Sequence, residues 1–305
     1  MHDKTFEVKL GISPIGWSND DLPSLGGETS LGAMLAEGRE IGYQGFELGR
    51  QFPREPAALR GLMSEQNLAL VSGWYSGRLA ERSLDAEIAA LASHLERLTA
   101  CGCQVLVYGE IADSIQGQQT VPLYKRPRFG DEAAMKRYGE RLTAFGEYLR
   151  RQGIRLAYHH HMGAYVQAPE DIDELMACTG DEVGLLFDSG HVYFGGGDPL
   201  AILARHIKRV CHVHCKDVRP AIIRHAHNRQ WSFLDAVLNG AFTVPGDGGI
   251  DFSAIIGILR ESGYQGWMVV EAEQDPAVAP SYAYASKGYR VLRALLDEVS
   301  FKEVA

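Results

Sequence analysis

The sequence predicts one (β/α)8 barrel, a TIM barrel, that spans residues 1–305 as a single domain. Two observations predict this fold. Eight short runs of β-branched or apolar residues alternate with longer segments of helical period, which is typical of repeated βα units. No linker divides the chain, and its 305 residues suffice for one barrel of this kind.

The predicted strands are the short apolar runs, and the segments between them repeat apolar residues at three and four positions. The clearest helices are Leu84–Thr99 and Ala133–Gln152. A doubly wound open sheet is the alternative, but no Gly-x-Gly-x-x-Gly turn follows the first strand. The strands are predicted in order at Val8–Ile15, Gly45–Leu48, Leu68–Trp74, Val105–Tyr108, Arg155–His159, Val183–Phe187, Val210–His214 and Trp267–Glu271.

Two segments far apart in the chain share one pattern. The stretch from Glu40 to Glu47 reads EIGYQGFE, and the stretch from Glu261 to Met268 reads ESGYQGWM. Each predicts a helix that ends at a glycine and a strand that follows at once. The similarity is either the trace of an internal repeat or a turn common to α/β proteins.

The charge balance argues against a nucleic-acid partner. Lys and Arg number 30 and Asp and Glu number 39, a net charge of −9, whereas binding to a phosphate backbone depends on clustered positive charge. No run approaches the roughly 18 apolar residues that cross a bilayer, and no signal peptide is visible. We therefore expect a cytoplasmic protein with no membrane contact. The five scattered cysteines are expected to be reduced thiols.

Histidine is concentrated in one part of the chain. Nine of the 11 histidines lie between His159 and His227. In a TIM barrel the active site lies at the C-terminal ends of the strands, and four successive predicted strands end in His, Asp, His and Glu. Alternation along a strand places on one face His159 with His161, His212 with His214 and Lys216, and Glu271 with Glu273, while Asp188 is followed by His191.

These strand ends predict a divalent metal site. Imidazole and carboxylate together suit Mn, Co, Fe or Zn, and a carboxylate at the end of a buried strand needs a partner that a cation supplies. The alternative for each residue taken singly is a hydrogen-bonded structural role. The candidate ligands are His159, Asp188, His214 and Glu271.

Six motifs spread along the chain carry a resemblance to a known family. They are GISPIGWSND from Gly11, YHHHMG from Tyr158, GLLFDSGH from Gly184, HVHCKD from His212, FTVPGDG from Phe242 and VVEAEQDP from Val269. With these motifs the sequence resembles the xylose-isomerase-like barrel superfamily and, within it, the inosose dehydratase family of inositol catabolism. The resemblance spans nearly the whole chain, and the triple histidine and the EAEQDP run are its most specific parts.

This resemblance implies a hydro-lyase that dehydrates 2-keto-myo-inositol (scyllo-inosose) to a trihydroxycyclohexane-1,2-dione through a metal-stabilised enediolate. It implies Mn2+ or Co2+, and glutathione as a further requirement for which no residue pattern gives support. The superfamily's ligand set of Glu, Asp, His and Glu falls on His159, Asp188, His214 and Glu271. Histidine replaces the usual glutamate at the first position, so the first ligand is His159, its neighbour His161, or neither.

Dehydration also requires a base for the proton beside the ketone and an acid for the departing hydroxyl. The resemblance places His191 at a catalytic or supporting position, and it places Lys216 in a His-x-Lys-Asp motif. We therefore predict His191 and Lys216 as the proton-transfer residues, ahead of Glu273 and Glu47. The alternative for Lys216 is a plain ion pair with Asp217.

Recognition of a small cyclic polyol ketone needs hydrogen-bonding groups and an apolar surface for the ring. Residues in the predicted βα loops can provide both, and a solvated loop is the alternative. The C-terminal helix Tyr282–Val299 is apolar enough to join the interface of a homo-oligomer or to pack on the core. The predicted substrate-binding residues are Trp17, Asn19, Trp74, Lys125 and Glu273.

Two other functions are compatible with this barrel. A keto-sugar epimerase or isomerase would share the metal site and the enediolate, and would differ in returning the proton to carbon instead of expelling a hydroxyl. A DNA-repair endonuclease is the other, and the net charge of −9 argues against it. The sequence therefore favours the dehydratase.

Overall fold

Eight parallel strands close into one barrel in the computed structural model, which describes residues 6–304. The strands are β1 (Val8–Ile12), β2 (Gly45–Leu48), β3 (Ala69–Gly77), β4 (Val105–Glu110), β5 (Arg155–His159), β6 (Val183–Asp188), β7 (Val210–Cys215), β8 (Asp217–Val218), β9 (Phe242–Thr243) and β10 (Gly266–Val270). The eight barrel strands follow the order β1-β10-β7-β6-β5-β4-β3-β2. The other two, β8 and β9, pair with each other in a separate antiparallel sheet. The predicted (β/α)8 barrel is confirmed, while the limits 1 and 305 of the predicted domain lie outside the described residues.

The helices follow the strands, as the apolar periodicity predicts. They are α1 (Leu31–Ile41), α2 (Pro56–Glu65), α3 (Leu84–Ala100), α4 (Glu132–Arg151), α5 (Pro169–Cys178), α6 (Ser189–Phe194), α7 (Pro199–His206), α8 (Pro220–Arg229), α9 (Phe233–Leu238), α10 (Phe252–Ser262) and α11 (Ser281–Val304). The two clearest predictions, α3 and α4, are correct to within one residue at each end. Both begin at a capping side chain, Ser83 and Asp131 respectively, which accepts a hydrogen bond from a free N–H of the first turn.

Two predicted strand ends differ from the structure by three residues, each for a local reason, and the other boundaries differ by two residues or fewer. The first strand ends at Ile12 instead of Ile15, because Pro14 starts a short 3-10 turn and the Ser13 side chain accepts a hydrogen bond from the Ile15 N–H. The third strand continues past Trp74 to Gly77, because its last residues pair with β4 as far as Glu110. Both changes affect residues at the C-terminal mouth of the barrel.

The repeated EIGYQG-type pattern forms the same structure twice. Gly42 ends α1 with φ of 116°, and Gly263 ends α10 with φ of 69°, so both lie in the left-handed region that glycine adopts without steric cost. Each glycine is followed within three residues by a barrel strand, β2 or β10. These two strands flank β1 in the barrel.

Apolar side chains fill the layer between the strands and the helices. Leu35 of α1, Leu91 of α3 and Leu142 of α4 are all completely buried there. β6 is buried along its whole length, as expected for a parallel strand with protein on both faces. Burying one leucine side chain stabilises the fold by about 2 kcal/mol, so this layer holds the strands that carry the site.

The loop between β7 and β10 is organised by one buried carboxylate. Asp217 accepts hydrogen bonds from four backbone N–H groups, those of Val218, Gly246, Gly248 and Ile250, at 2.8–3.1 Å. Asp217 is therefore the anchor of the β8–β9 region. It is not the ion-pair partner of its neighbour Lys216, whose ammonium contacts other carboxylates.

The sequence predicts no membrane-spanning segment and no disulfide bond. None of the helices in residues 6–304 combines the length and the apolar composition needed to cross a bilayer. All five cysteines are free, as predicted, and burial raises the pKa of the Cys103 thiol to about 12.

Candidate active site

Four buried side chains converge at the C-terminal mouth of the barrel. His159 ends β5, Asp188 ends β6, His214 lies near the end of β7, and Glu271 follows β10. Each offers a nitrogen or carboxylate oxygen that lies within 4.8 Å of those of the other three. Parallel strands deliver them to one place because all of their C-terminal ends meet at the same rim. The four candidate ligands are thus brought together.

The nitrogen and oxygen atoms of this cluster are spaced as ligands of one metal ion, and several of them form no hydrogen bond with one another. Asp188 Oδ2 lies 3.4 Å from His159 Nε2 and 3.5 Å from His214 Nδ1, yet it is buried without a hydrogen bond. His214 Nδ1 lies 2.7 Å from Glu271 Oε2 and also lacks hydrogen-bond geometry. Ligand atoms about 2.1 Å from a tetrahedral ion lie roughly 3.4 Å apart, similar to the Asp188 distances. The residues present therefore fit a divalent ion.

The structure distinguishes the two histidines that the sequence leaves as alternatives. His159 joins the cluster with Asp188, whereas His161 groups with His191 and Glu273. His161 Nδ1 lies 2.9 Å from the Met162 carbonyl oxygen and donates to it, which leaves Nε2 as an acceptor. The first position of the cluster is therefore His159.

Glu47, at the end of β2, fixes the orientation of two histidines. Its Oε1 lies 2.8 Å from His212 Nε2 and 3.1 Å from His214 Nε2. Burial favours a higher pKa for Glu47, but the two imidazoles lower that pKa to about 2. A carboxylate that binds the outer nitrogen of a ligand histidine orients the ring toward a metal. The sequence predicts Glu47 only as a less favoured proton-transfer residue. Its position near the C-terminal end of β2 is the sequence signal that places it at the same rim as the cluster.

Lys216 is a buried cation among carboxylates. Its Nζ lies 2.7 Å from Glu273 Oε1, 2.9 Å from Glu271 Oε1 and 3.4 Å from Asp188 Oδ2. Burial favours a lower pKa for the Lys216 ammonium, but these carboxylates raise it well above its ordinary value. The Nζ atom also lies 3.1 Å from His191 Nε2. The positive charge of Lys216 therefore compensates the negative charges of Asp188 and Glu271 in the cluster and of Glu273 beside it.

A cavity of about 440 Å³ opens above the cluster. Glu273 and Trp74, two of the predicted substrate-binding residues, line it. His191 and Lys216, the predicted proton-transfer residues, are fully buried beside the cluster and are not among the lining residues of this cavity in the described chain. The polar residues that line the cavity include His161, Glu47, Glu273, Asp20 and Asp21.

Three predicted substrate-binding residues are also not among the described lining residues of this cavity, and the side chains of two of them have other contacts. Trp17 is buried against Phe46 and donates its indole N–H to Glu37 Oε2 at 2.6 Å. Asn19 Oδ1 accepts from the N–H groups of two following residues and closes a turn. Lys125 is exposed on a short turn. Loop position alone does not fix side-chain direction, so the substrate-binding role of these three residues stays a prediction of the sequence.

Glu273 differs from Glu47 in its surroundings. Burial raises the pKa of Glu273 to about 7, although the Lys216 ammonium opposes this shift. Its Oε2 atom is buried and has no hydrogen-bond partner among the described residues. One oxygen is thus held by Lys216 and the other is free for a ligand.

Comparison with known proteins shows the family to which this chain belongs. The model of the xylose isomerase-like TIM barrel family matches residues 35–295. The rhizopine catabolism protein MocC of Rhizobium meliloti is 48% identical and covers 97% of this chain and 90% of its own length. The inosose dehydratase of Geobacillus thermodenitrificans is 42% identical, with coverage of 95% and 98% respectively.

One solved structure shows the same fold at low sequence identity. The probable 3-DHS dehydratase AsbF of Bacillus anthracis superimposes with a TM-score of 0.69 at 12% identity, and the match covers 94% of this chain and 99% of that one. At this identity the match supports the fold alone. The chain therefore belongs to the xylose isomerase-like TIM barrel family, together with the inosose dehydratase and the MocC protein that it resembles.

Proposed function

We propose that this protein is a metal-dependent inosose dehydratase, a hydro-lyase that converts scyllo-inosose to a trihydroxycyclohexane-1,2-dione. The observation that carries the proposal is the set of four buried ligand-type side chains, within 4.8 Å of one another, below a cavity large enough for a cyclic polyol. The 42% identity to an inosose dehydratase over nearly the full length supports the choice of substrate.

The ion of this proposal is Mn2+ or Co2+, held by His159, Asp188, His214 and Glu271. Mixed imidazole and carboxylate ligands suit both ions. The chemistry that such an ion supplies is Lewis-acid polarisation of a carbonyl, which makes the neighbouring C–H more acidic. Glu47 would keep the His214 ring in the required orientation.

Within this proposal Glu273 performs the proton transfer. It lines the cavity, and its Oε2 atom is free while Oε1 accepts a hydrogen bond from Lys216. The carboxylate is positioned to take the proton from the carbon beside the ketone. The same group can then return that proton to the departing hydroxyl, so that water leaves and a carbon–carbon double bond forms. The enol produced in this way tautomerises to the 1,2-dione.

Lys216 and His191 act as positioning residues behind Glu273. Lys216 Nζ lies between Glu273 and His191, and the Lys216 stem packs against Gly190, where a Cβ atom would lie 2.6 Å from Lys216 Cγ. This arrangement fixes the Glu273 carboxylate through a completely buried Lys216 ammonium. Trp74 provides the apolar surface for the ring, and Asp21 with Gln116 provides polar groups.

The test is an inosose dehydration assay that follows the dione by absorbance. Chelator-treated protein should be inactive, and Mn2+ or Co2+ should restore turnover. Asp188→Asn and Glu271→Gln should abolish that restoration, whereas Glu261→Gln, an exposed substitution on α10, should behave as the wild type. Full turnover by metal-free protein would contradict the mechanism, and epimerised keto-sugar without dione would identify an epimerase instead.

A role in rhizopine catabolism is the second candidate, because the MocC relative has the higher identity of the two, 48% against 42%. Turnover of a rhizopine-derived compound faster than inosose would favour it. Cytoplasmic location, homo-oligomer formation and a glutathione requirement remain predictions of the sequence. Each can be measured on the purified protein or in cells by fractionation, sedimentation and assay with and without glutathione.

A further inference from the structure

The cavity reaches from the metal-type cluster to the opposite side of the barrel. The cluster is carried by β5, β6, β7 and β10, whereas β2 and β3 lie across the barrel from β6 and β7 in the strand order. The lining on that far side includes two arginines, Arg50 and Arg97, beside His94, and also the carboxylate of Glu47, which is already bound to His212 and His214. The metal-type cluster and the two arginines therefore line different parts of one cavity.

Arg97, on α3, brings an uncompensated charge to that end. Its guanidinium donates a hydrogen bond to His94 Nδ1 at 3.2 Å, and no carboxylate of the described residues forms an ion pair with it. Other partly buried arginines do have such partners, since Arg126 lies 2.6 Å from Asp171. Burial lowers the pKa of Arg97, and the nearby Arg54 lowers it further. Positive charge thus accumulates here in a chain that is acidic overall.

His94 holds Arg97 in place without neutralising it. His94 is buried on the core face of α3 beside Leu91 and Leu98, a position where an apolar residue is expected. Its Nε2 lies 3.3 Å from the Gly73 carbonyl oxygen and donates to it, so Nδ1 accepts from Arg97. Burial lowers the pKa of His94 to about 4, with Arg97 contributing, and the ring stays neutral at physiological pH.

Arg50 adds a second guanidinium to the same wall. It donates to Ser18 Oγ at 2.7 Å and to the Pro23 carbonyl oxygen at 3.4 Å. Asp20, which lines the same cavity, lies 3.7 Å from it, so the Arg50 charge is only loosely paired. A guanidinium with free N–H groups matches the two oxygens of a carboxylate or phosphate. The far end of the cavity has the groups that such an anion needs.

We propose that the Arg97 end of the cavity is a subsite for an anionic group, a carboxylate or a phosphate. The anion is either a substituent of a polyol that lies at the cluster or a separate small anion beside it. This inference goes beyond the proposed dehydratase activity, and it predicts binding that is measurable on resting protein.

The test is calorimetric binding to the full-length protein. Inorganic phosphate represents the separate anion, and myo-inositol monophosphate is compared with myo-inositol for the attached one. Wild type should bind phosphate, and Arg97→Gln should weaken that binding about tenfold, the loss expected for one charged hydrogen-bond partner. Arg97→Lys should keep part of the affinity. Arg39→Gln, an exposed arginine in the last turn of α1, should leave binding unchanged.

The two sources give different results. A monophosphate that binds more tightly than inositol, with the advantage lost in Arg97→Gln, supports an attached anion. Phosphate binding with no such advantage supports a separate anion. No phosphate binding together with equal affinities for inositol and its monophosphate would overturn the proposal, as would binding that Arg97→Gln leaves intact. The inosose assay is independent, so failure of one proposal is distinguishable from failure of the other.

Discussion

Glu110, at the end of β4, shows what burial does to a single carboxyl group. It accepts hydrogen bonds from the Tyr108 hydroxyl and from the N–H groups of Ala80 and Ala112, at 2.8–3.0 Å. Burial nevertheless outweighs these bonds and raises the pKa of Glu110 from 4.5 to about 7. The charged form is therefore less stable in the folded protein than in the unfolded chain.

This shift predicts a pH dependence of stability. The folded pKa lies above the unfolded value, so the contribution of Glu110 is complete below about pH 4.5 and is lost as pH rises through about 7. Between those limits the wild type should lose about 3 kcal/mol of unfolding free energy relative to Glu110→Gln. Urea unfolding from pH 5 to pH 8 measures the difference. Equal pH slopes for wild type and variant would contradict the shift.

A second prediction at the residue scale concerns Glu47. Because Glu47 orients the His214 ring through Nε2, Glu47→Gln should weaken binding of Mn2+ or Co2+ by roughly 10- to 100-fold. Competition with a chelator gives the affinity without recourse to turnover. Glu65→Gln, on the exposed side of α2, is the control that should bind the ion as the wild type does. Unchanged affinity in Glu47→Gln would remove Glu47 from the site.

At the scale of elements, the rigidity of the β8–β9 region rests on Asp217. Two of its four N–H donors bond to each carboxylate oxygen. Because Lys216 precedes Asp217 directly, the fixed position of this carboxylate also fixes the backbone from which Lys216 extends to Glu273. Asp217 thereby supports the position of the Glu273 carboxylate through Lys216.

Replacement of that anchor should be costly. In Asp217→Asn one oxygen becomes an amide that faces N–H groups, so two backbone donors lose their acceptor and the site loses its charge. We expect a loss of about 3 kcal/mol in unfolding free energy, measured by chemical denaturation. Asp251→Asn, at the exposed cap of α10, should cost about 1 kcal/mol or less. A neutral Asp217→Asn would show that the loop is held by other contacts.

At the scale of the whole molecule, the cluster joins four strands that are distant in sequence. An ion bound there would stabilise only the folded barrel, because the unfolded chain does not bring β5, β6, β7 and β10 together. At about 100 times the dissociation constant, Mn2+ or Co2+ should add about 3 kcal/mol. The melting temperature should rise by several degrees with the ion and fall with a chelator. Asp188→Asn should melt at one temperature under both conditions.

The candidate site was predictable where strand geometry determines it. His159, Asp188, His214 and Glu271 follow from alternation and from the common direction of parallel strands. His191 and Lys216, predicted from the sequence for proton transfer, lie beside this cluster, and both are completely buried. The ring of Phe242, on β9, lies 4.9 Å from Lys216 Nζ and 5.2 Å from the His191 ring, and no local pattern encodes that contact.

The amino-acid sequence by itself determined the fold class, the order of the strands and helices, and the rim at which ligand-type residues gather. Those features follow from local periodicity and from turn chemistry, which act over a few residues. Only the tertiary structure decided that His159 and not His161 joins the cluster, that Glu273 faces the cavity, and that Trp17 is buried against Phe46. Side-chain direction depends on packing between elements that are far apart in the chain, and packing exists only once the barrel has closed.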